Sequence, residues 1–345
     1  TIHFYPIGKQ ALIGSRTDFY SQGNPPWVVL DLSNPAAPQF QQSIDQNLVY
    51  DSMSQRIYWI DTDGFKINKL NPKGQLENLG KVSIWANYIV PATPHLVILS
   101  HLSGSYPYQS KTISLIDLTD VAHPTIASQI TPTLDAVGHS IVTQSSKYLV
   151  LHENIENSLT QPYVFYNISN PKKPTYLGKY ETSPYGISVK ILDDDVHILF
   201  GDGNTNHKMI DLRTTPIRVS PSILPIINHY TRLIRWFDRI AVDSGYFLID
   251  ASNAASPQKR GRLPFWDQKE SKLLTIANNM AYMSANDRLY IVDIQNLDAP
   301  TLIHTYPPEH WVKDCFRNLE SRDVALTDDF LYVSSFKCGL TIFTR

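Results

Sequence analysis

Trp27-Val28-Val29-Leu30-Asp31-Leu32-Ser33-Asn34-Pro35-Ala36-Ala37-Pro38 decides the fold, because the chain keeps returning to this phrase. After a run of aliphatic residues it comes back as Asp117-Leu-Thr-Asp120-Val-Ala-His-Pro124 and as Asn167-Ile-Ser-Asn170-Pro171-Lys-Lys-Pro174. Two more copies are Asp250-Ala-Ser-Asn253-Ala-Ala-Ser-Pro257 and Asp293-Ile-Gln-Asn296-Leu-Asp-Ala-Pro300, with worn copies at Asn71-Pro72 and from Asp211 to Pro216. Asp31 to Asp117 spans 86 positions, two units of 43, and the steps from Asn167 through Asp211 and Asp250 to Asp293 are 44, 39 and 43. A period of about 40–45 residues built from short strands is the signature of a β-propeller blade.

One repeat shows the unit. Leu273-Leu-Thr-Ile-Ala reads as an inner strand, and Met280-Ala-Tyr-Met follows an Asn278-Asn279 turn. Arg288 to Ile294 makes a third strand whose alternation buries Leu289 and Ile291, and Thr301-Leu-Ile-His-Thr-Tyr306 makes the outer edge. The Asn-Pro phrase is then the turn between third and fourth strands, where prolines take nothing from a ladder and Asx side chains make their own turn bonds.

Inner strands are expected near Ile2, Leu48, Trp85, Val137, Ile187, Arg232, Leu273 and Asp323. Third strands are expected near Val28, Phe65, Ile113, Val164, Met209, Phe247, Tyr290 and Leu340. The fold class is therefore all-β: a single propeller over residues 1–345, with eight blades of four antiparallel strands and seven as the alternative. Thr1-Ile-His-Phe-Tyr-Pro6 fits two roles, as the outer strand of the last blade or as the inner strand of the first.

The charge balance narrows the partners. Thirty basic against 32 acidic residues leave a net charge of −2, which offers no electrostatic footprint for nucleic acid. No run of about 20 apolar residues exists to span a bilayer. An opening Thr1 is compatible with a mature secreted chain or a trimmed one. The two cysteines, Cys315 and Cys338, fall in loops that one blade brings to the same face, which predicts a disulfide; two buried thiols are the alternative.

Propellers bind at the end carrying the loops between second and third strands and between blades. Loops there often hold function. Four such loops are long: Ser15 to Trp27, His101 to Ser110, His152 to Gln161 and Gly201 to His207. Tyr20, Trp27, Tyr106 and Tyr108 offer aromatic surface, joined by His152 and His207; packing of the loops on each other is the alternative. Asn87, His139, Arg232, Arg235 and Arg322 sit near the starts of inner strands, where arginines would grip an anion or pair with Asp135, Asp238 and Asp323.

Catalytic and metal signatures are scarce. The eleven histidines make no HxH, HxxxH or HExxH spacing. Asp61-Thr-Asp-Gly64 and Gly201-Asp-Gly203 do not continue as a twelve-residue calcium loop. No GxSxG elbow and no glycine-rich phosphate loop appears. No catalytic residue, metal or cofactor is expected.

The aliphatic run followed by Asp and then Ser-Asn-Pro resembles the LVIVD (LVIVP) repeat of bacterial and archaeal surface proteins, best in Trp27 to Pro35 and in Arg288 to Ile294. The resemblance implies a propeller that is exported, to an extracytoplasmic site, and it brings no catalytic motif. The expected function is a non-catalytic binding or scaffold propeller recognising a protein or glycan on its loop-rich face. The alternative is a hydrolase or lyase acting on a polysaccharide or lactone at the channel mouth.

The cysteine reading has a direct check. A Cys315–Cys338 bond closes a loop of 23 positions and should add about 3 kcal/mol. Mass spectrometry of unreduced protein should find no alkylatable thiol; two alkylated cysteines would refute it.

Overall fold

A computed structural model describes residues 2–15, 27–34, 37–46, 48–101, 112–131, 138–154, 161–182, 188–191, 197–201, 207–214, 216–220, 235–237, 239–242, 246–253, 255–265, 271–285, 288–306, 322–327, 330–335 and 339–344. Every regular element among them is a β-strand. The first blade is β1 (Ile2–Ile7), β2 (Gln10–Ser15), β3 (Trp27–Asp31) and β4 (Gln39–Ile44). The second is β5 (Leu48–Asp51), β6 (Arg56–Asp61), β7 (Gly64–Leu70) and β8 (Leu76–Val82). The third is β9 (Tyr88–Thr93), β10 (Leu96–Ser100), β11 (Ile113–Asp117) and β12 (Thr125–Ile130). The fourth is β13 (Gly138–Gln144), β14 (Tyr148–Asn154), β15 (Gln161–Asn167) and β16 (Thr175–Thr182). The fifth is β17 (Ser188–Ile191), β18 (His197–Gly201), β19 (His207–Asp211) and β20 (Arg218–Ser220). The sixth is β21 (Arg235–Phe237), β22 (Ile240–Val242), β23 (Phe247–Asp250) and β24 (Gln258–Arg262). The seventh is β25 (Lys272–Ala277), β26 (Met280–Ala285), β27 (Arg288–Asp293) and β28 (Thr301–Tyr306), and the last is β29 (Arg322–Leu326), β30 (Phe330–Ser335) and β31 (Gly339–Thr344).

Each sheet is a meander, with sequential strands side by side and antiparallel, and the architecture is an all-β propeller. The expected count needs one correction. Among the described residues seven blades are complete with four strands, and β29–β31 stops at three. The first segment is settled too. Ile2 to Ile7 pairs with β2 as the inner strand of the first blade, with Phe4 opposite Ile13, and takes no place beside β31.

Burial explains why third strands read as unbroken aliphatic runs. In β11, Ile113 to Ile116 are buried on both faces, whereas the outer strand β12 buries only Ile130 at its end. A central strand covered on both sides has no polar face to show.

The recurring phrase does four jobs. The Asp or Asn side chain accepts the N–H two residues on: Ser33 to Asp31 at 2.7 Å, Thr119 to Asp117 at 2.8 Å, Ser169 to Asn167 at 2.9 Å and Gln295 to Asp293 at 2.7 Å. The next residue, Leu32, Leu118, Ile168 or Ile294, buries its side chain. Its N–H meanwhile bonds the carbonyl at the first hairpin of the same blade: Leu32 to Lys9, Leu118 to His95, Ile168 to Lys147 and Ile294 to Asn279. A turn then closes from the Ala37 N–H to the Asn34 carbonyl, and from Lys173 to Asn170. Asn278 and Asn279 both take positive φ, 52° and 58°, the two-residue hairpin geometry that Asn tolerates.

Packing divides the chain into two compact units, Thr1–Lys81 with Arg262–Arg345, and Val82–Gly261. Inside the first, Leu12, Trp27 and Val29 interlock with Leu48 and Ile57 of the second blade, and Tyr282 and Leu289 with Leu331, Val333 and Phe343 of the last. The first and last blades meet there through Phe4, Ala11, Leu32 and Tyr332, with the Phe4 and Tyr332 rings stacked 4.6 Å apart. Inside the second unit, Ile98, Ile113 and Leu115 pack on Leu149, Leu151 and Val164. Polar clamps link neighbours: Gln42 Nε2 donates to the Gly74 carbonyl at 2.6 Å, and the Ser128 hydroxyl to that of Pro171 at 2.5 Å. The turn of one blade is thus an acceptor for the outer strand of the blade before it.

Hydrogen bonds from Ser33 hold the Asp31 carboxyl below the usual carboxylate range, and those from Thr119 do the same for Asp117. A depressed folded pKa contributes stability that is present above about pH 4 and lost as pH falls through the folded value. Asp117→Ala should cost about 1–2 kcal/mol at pH 7. Asp117→Asn, which keeps the acceptor that Asn167 supplies in the fourth blade, should stay close to the parent at pH 7 and lose less stability at pH 3. Urea midpoints at both pH values check the pair.

Candidate functional site

The loop-bearing end of the third blade is where described side chains form a site. Trp85 lies just before β9 with its side chain 56% exposed, and Tyr88, the first residue of β9, is 39% exposed. The backbone beneath them is pinned. The Asn87 N–H bonds the Ser100 carbonyl at 2.8 Å, and the His101 N–H bonds that of Thr112 at 2.9 Å.

His101 reads the same stretch with its ring. Nδ1 bonds the Trp85 carbonyl, and Nε2 lies 2.8 Å from the Ser114 hydroxyl, which accepts from Gln129 Nε2 at 3.0 Å. A carbonyl only accepts, so Nδ1 carries the proton, Nε2 accepts, and the Ser114 O–H donates to it. Burial pushes the His101 pKa down, and the bond to the Trp85 carbonyl offsets part of that. The ring is neutral near pH 7. This is the proton arrangement of a nucleophile and base, but Ser114 is 0% exposed in the middle of a core strand, so no substrate reaches its oxygen. The relay fixes the carbonyl of Trp85 and so the backbone from which the exposed indole projects.

The fourth blade adds an aromatic pair at the same end. His152 in β14 stands across from Tyr163 in β15, ring centroids 4.8 Å apart. Burial raises the Tyr163 hydroxyl pKa to about 12, so it stays protonated.

The residues singled out from the sequence fare differently. Trp27 is the first residue of β3, only 2% exposed, and stacks against Tyr5 at 6.1 Å. Gly14 makes room for it, since a Cβ there would sit 2.4 Å from the indole. Trp27 belongs to the core between the first two blades. His139 lies in β13 opposite Glu153, His207 opens β19 opposite Gly201, and Arg322 opens β29 opposite Ser335. Tyr20, Tyr106, Tyr108, Arg232, Cys315 and Cys338 lie outside the described residues. The Asp61–Gly64 segment is a hairpin whose carboxylates meet Lys66 Nζ at 3.5 Å from Asp61 and 3.1 Å from Asp63, so the cation there is a lysine. Among the described residues no cluster of three or more metal-ligating side chains forms, and no helix is long and apolar enough to cross a membrane.

Sequence reasoning passed over Trp85 as a strand start. The signal was there: a tryptophan in the short Ser83-Ile84-Trp85-Ala86 link between blades, where an apolar ring has no strand neighbour to cover it.

The LVIVD repeat profile matches residues 24–46, 271–307 and 320–343, which covers β3 and β4, the seventh blade and most of the last. No curated protein matches the chain. Among solved structures it is similar to Sqt1 of Saccharomyces cerevisiae, at 12% identity over 99% of this chain and 94% of that one, TM-score 0.57. Sqt1 from Chaetomium thermophilum is similar at 11% identity over 98% and 93%, TM-score 0.56. The periplasmic gluconolactonase PpgL of Pseudomonas aeruginosa aligns at 11% identity over 88% and 96%, TM-score 0.47. Identities this low speak to the propeller fold alone.

Trp27→Ala should cost about 3–5 kcal/mol, the usual range for emptying a buried indole site. A thermal melt that leaves Trp27→Ala within a degree or so of the parent would return Trp27 to the surface.

Proposed function

We propose that this chain is an exported, non-catalytic binding propeller that recognises a protein or glycan partner on the end carrying its long loops. One observation carries the reading: Trp85 is exposed while its backbone is locked by His101 and by the bond from Asn87. A large aromatic on an already fixed backbone has less freedom to lose when it is covered, which is what an interface anchor needs. Tyr88 beside it extends the apolar surface. Export rests on the likeness to the LVIVD repeat of surface proteins.

The competing hydrolase or lyase reading needs an accessible base or nucleophile. At this end of the third blade the nucleophile–base geometry among the described residues is spent inside the core, at Ser114 and His101.

Trp85→Ala and Tyr88→Ala should each weaken retention of surface-extract proteins or arrayed glycans by at least about tenfold, the scale of an anchor truncation. Their melting temperatures should stay near the parent's, because neither ring is buried. Turnover of a lactone or polysaccharide that Trp85→Ala abolishes would replace the binder with an enzyme. Unchanged capture would move the working surface elsewhere.

A further inference from the structure

We propose that Gln129, exposed on the outer strand β12, is a positioning residue for Trp85: its amide acts through Ser114 and His101 to keep the Trp85 carbonyl bound whether the imidazole is neutral or charged. What this means for capture rests on the reading of Trp85 as an anchor. The relay itself needs no partner.

The serine is a departure from the repeat. Three residues before the Asp or Asn that ends the third strand stand Val28, Val164 and Tyr290 in the first, fourth and seventh blades, and Ser114 in the third. Their partners on the outer strand are Ser43, Lys179, Thr305 and, for Ser114, Gln129. A hydroxyl at 0% exposure is costly unless its hydrogen and its lone pairs find partners. Here both do: His101 takes the hydrogen at 2.8 Å, and Gln129 Nε2 donates to the oxygen at 3.0 Å.

Proton counting ties the amide to the imidazole. The Trp85 carbonyl keeps a hydrogen on Nδ1 in both charge states. With the ring neutral, Nε2 takes the Ser114 hydrogen, so the serine oxygen accepts from position 129, and the amide nitrogen must face it. With the ring charged, Nε2–H donates to the serine oxygen, and the serine hydrogen then needs an acceptor. Turning the Gln129 amide end for end presents Oε1 for that bond. A carboxamide serves both states, which neither an apolar nor an acidic side chain does.

Few charges compete for control of the ring. Residues 82–87 before β9 carry no titratable side chain, and β9 to β12 carry Tyr88, at the start of β9, and Asp117, at the far end of β11. Neither moves the His101 pKa, which burial lowers and the Trp85 carbonyl partly restores. Ile113 and Leu115 pack on the fourth blade, so Ser114 between them takes the other face of the sheet.

Gln129→Leu removes both roles of the amide and leaves the charged state with a buried hydrogen that has no acceptor, so the His101 pKa should fall below the parent's. A histidine held below its free pKa of about 6.5 contributes stability that is whole above that pH and is lost as pH falls toward the folded value. The Asn87 N–H, bonded to Ser100 in the same segment, should therefore exchange at least about tenfold faster than in the parent at about pH 5, and at nearly the parent's rate at about pH 7.5. Gln129→Glu, an acceptor alone, should raise the His101 pKa instead. In a Ser114→Ala background Gln129→Leu should move that pKa no further, whereas a general disturbance of β12 would still move it. Nitrogen NMR of His101 reads both the pKa and the tautomer, with the hydrogen of the neutral ring expected on Nδ1. A neutral ring with its hydrogen on Nε2, an unchanged His101 pKa in Gln129→Leu, or the same fall with Ser114 absent would overturn the proposal. These readouts are independent of capture, on which Trp85 as an anchor is judged separately.

Discussion

The hydrogen bond that runs in five blades from the residue after the Asp or Asn to the carbonyl of the first hairpin organises the molecule. It runs from Leu32 to Lys9 at 2.7 Å, from Ile168 to Lys147 at 2.6 Å and from Ala251 to Arg239 at 2.8 Å. It ties the end of the third strand to the turn between the first and second. The side chain of the same residue enters the core, and its neighbour's carboxylate caps the turn. A single backbone position thus sets hairpin spacing, core depth and the start of the outer strand, which is why the phrase recurs while the strands around it vary.

The outer strand inherits its shape from that turn. Register shifts between Val29 and Leu30, Leu115 and Ile116, and Phe165 and Tyr166 place one extra residue on the outer side. A bulge twists the edge and re-aims a side chain, so Phe40, Ile126 and Tyr176 face solvent although they lie in paired strands. Exposed apolar residues here follow from a geometry that the first, third, fourth and seventh blades share. Trp85 is different in kind, because it sits in a link between blades and its position is enforced by a buried polar relay rather than by a ladder.

That relay shows how a catalytic-looking pair can serve structure. His101 and Ser114 have hydrogen-bonding distance and matched proton roles, and burial keeps the imidazole neutral. What they lack is access. A fully satisfied buried network specifies one arrangement, and here the arrangement includes the carbonyl of Trp85.

Strand positions were legible in the sequence because an aliphatic run ending in Asp and followed by Asn-Pro has a single local solution. All eight third strands lie where the repeat register put them, from Trp27–Asp31 to Gly339–Thr344. The sequence could not say whether Thr1 to Pro6 is an inner or an outer strand, since both are short β runs; the pairing of Ile2 to Ile7 with β2 makes it inner, and Phe4 stacks on Tyr332 of the last blade. Nor could it say that Trp27 is core, because the evidence lies in Gly14 on the neighbouring strand. His101, Ser114 and Gln129 meet across three strands, 13 and 15 positions apart. Local pattern determined the blade. Contacts between strands and between blades decided which aromatic is buried and which is offered to a partner, because burial depends on neighbours that one-dimensional spacing does not contain.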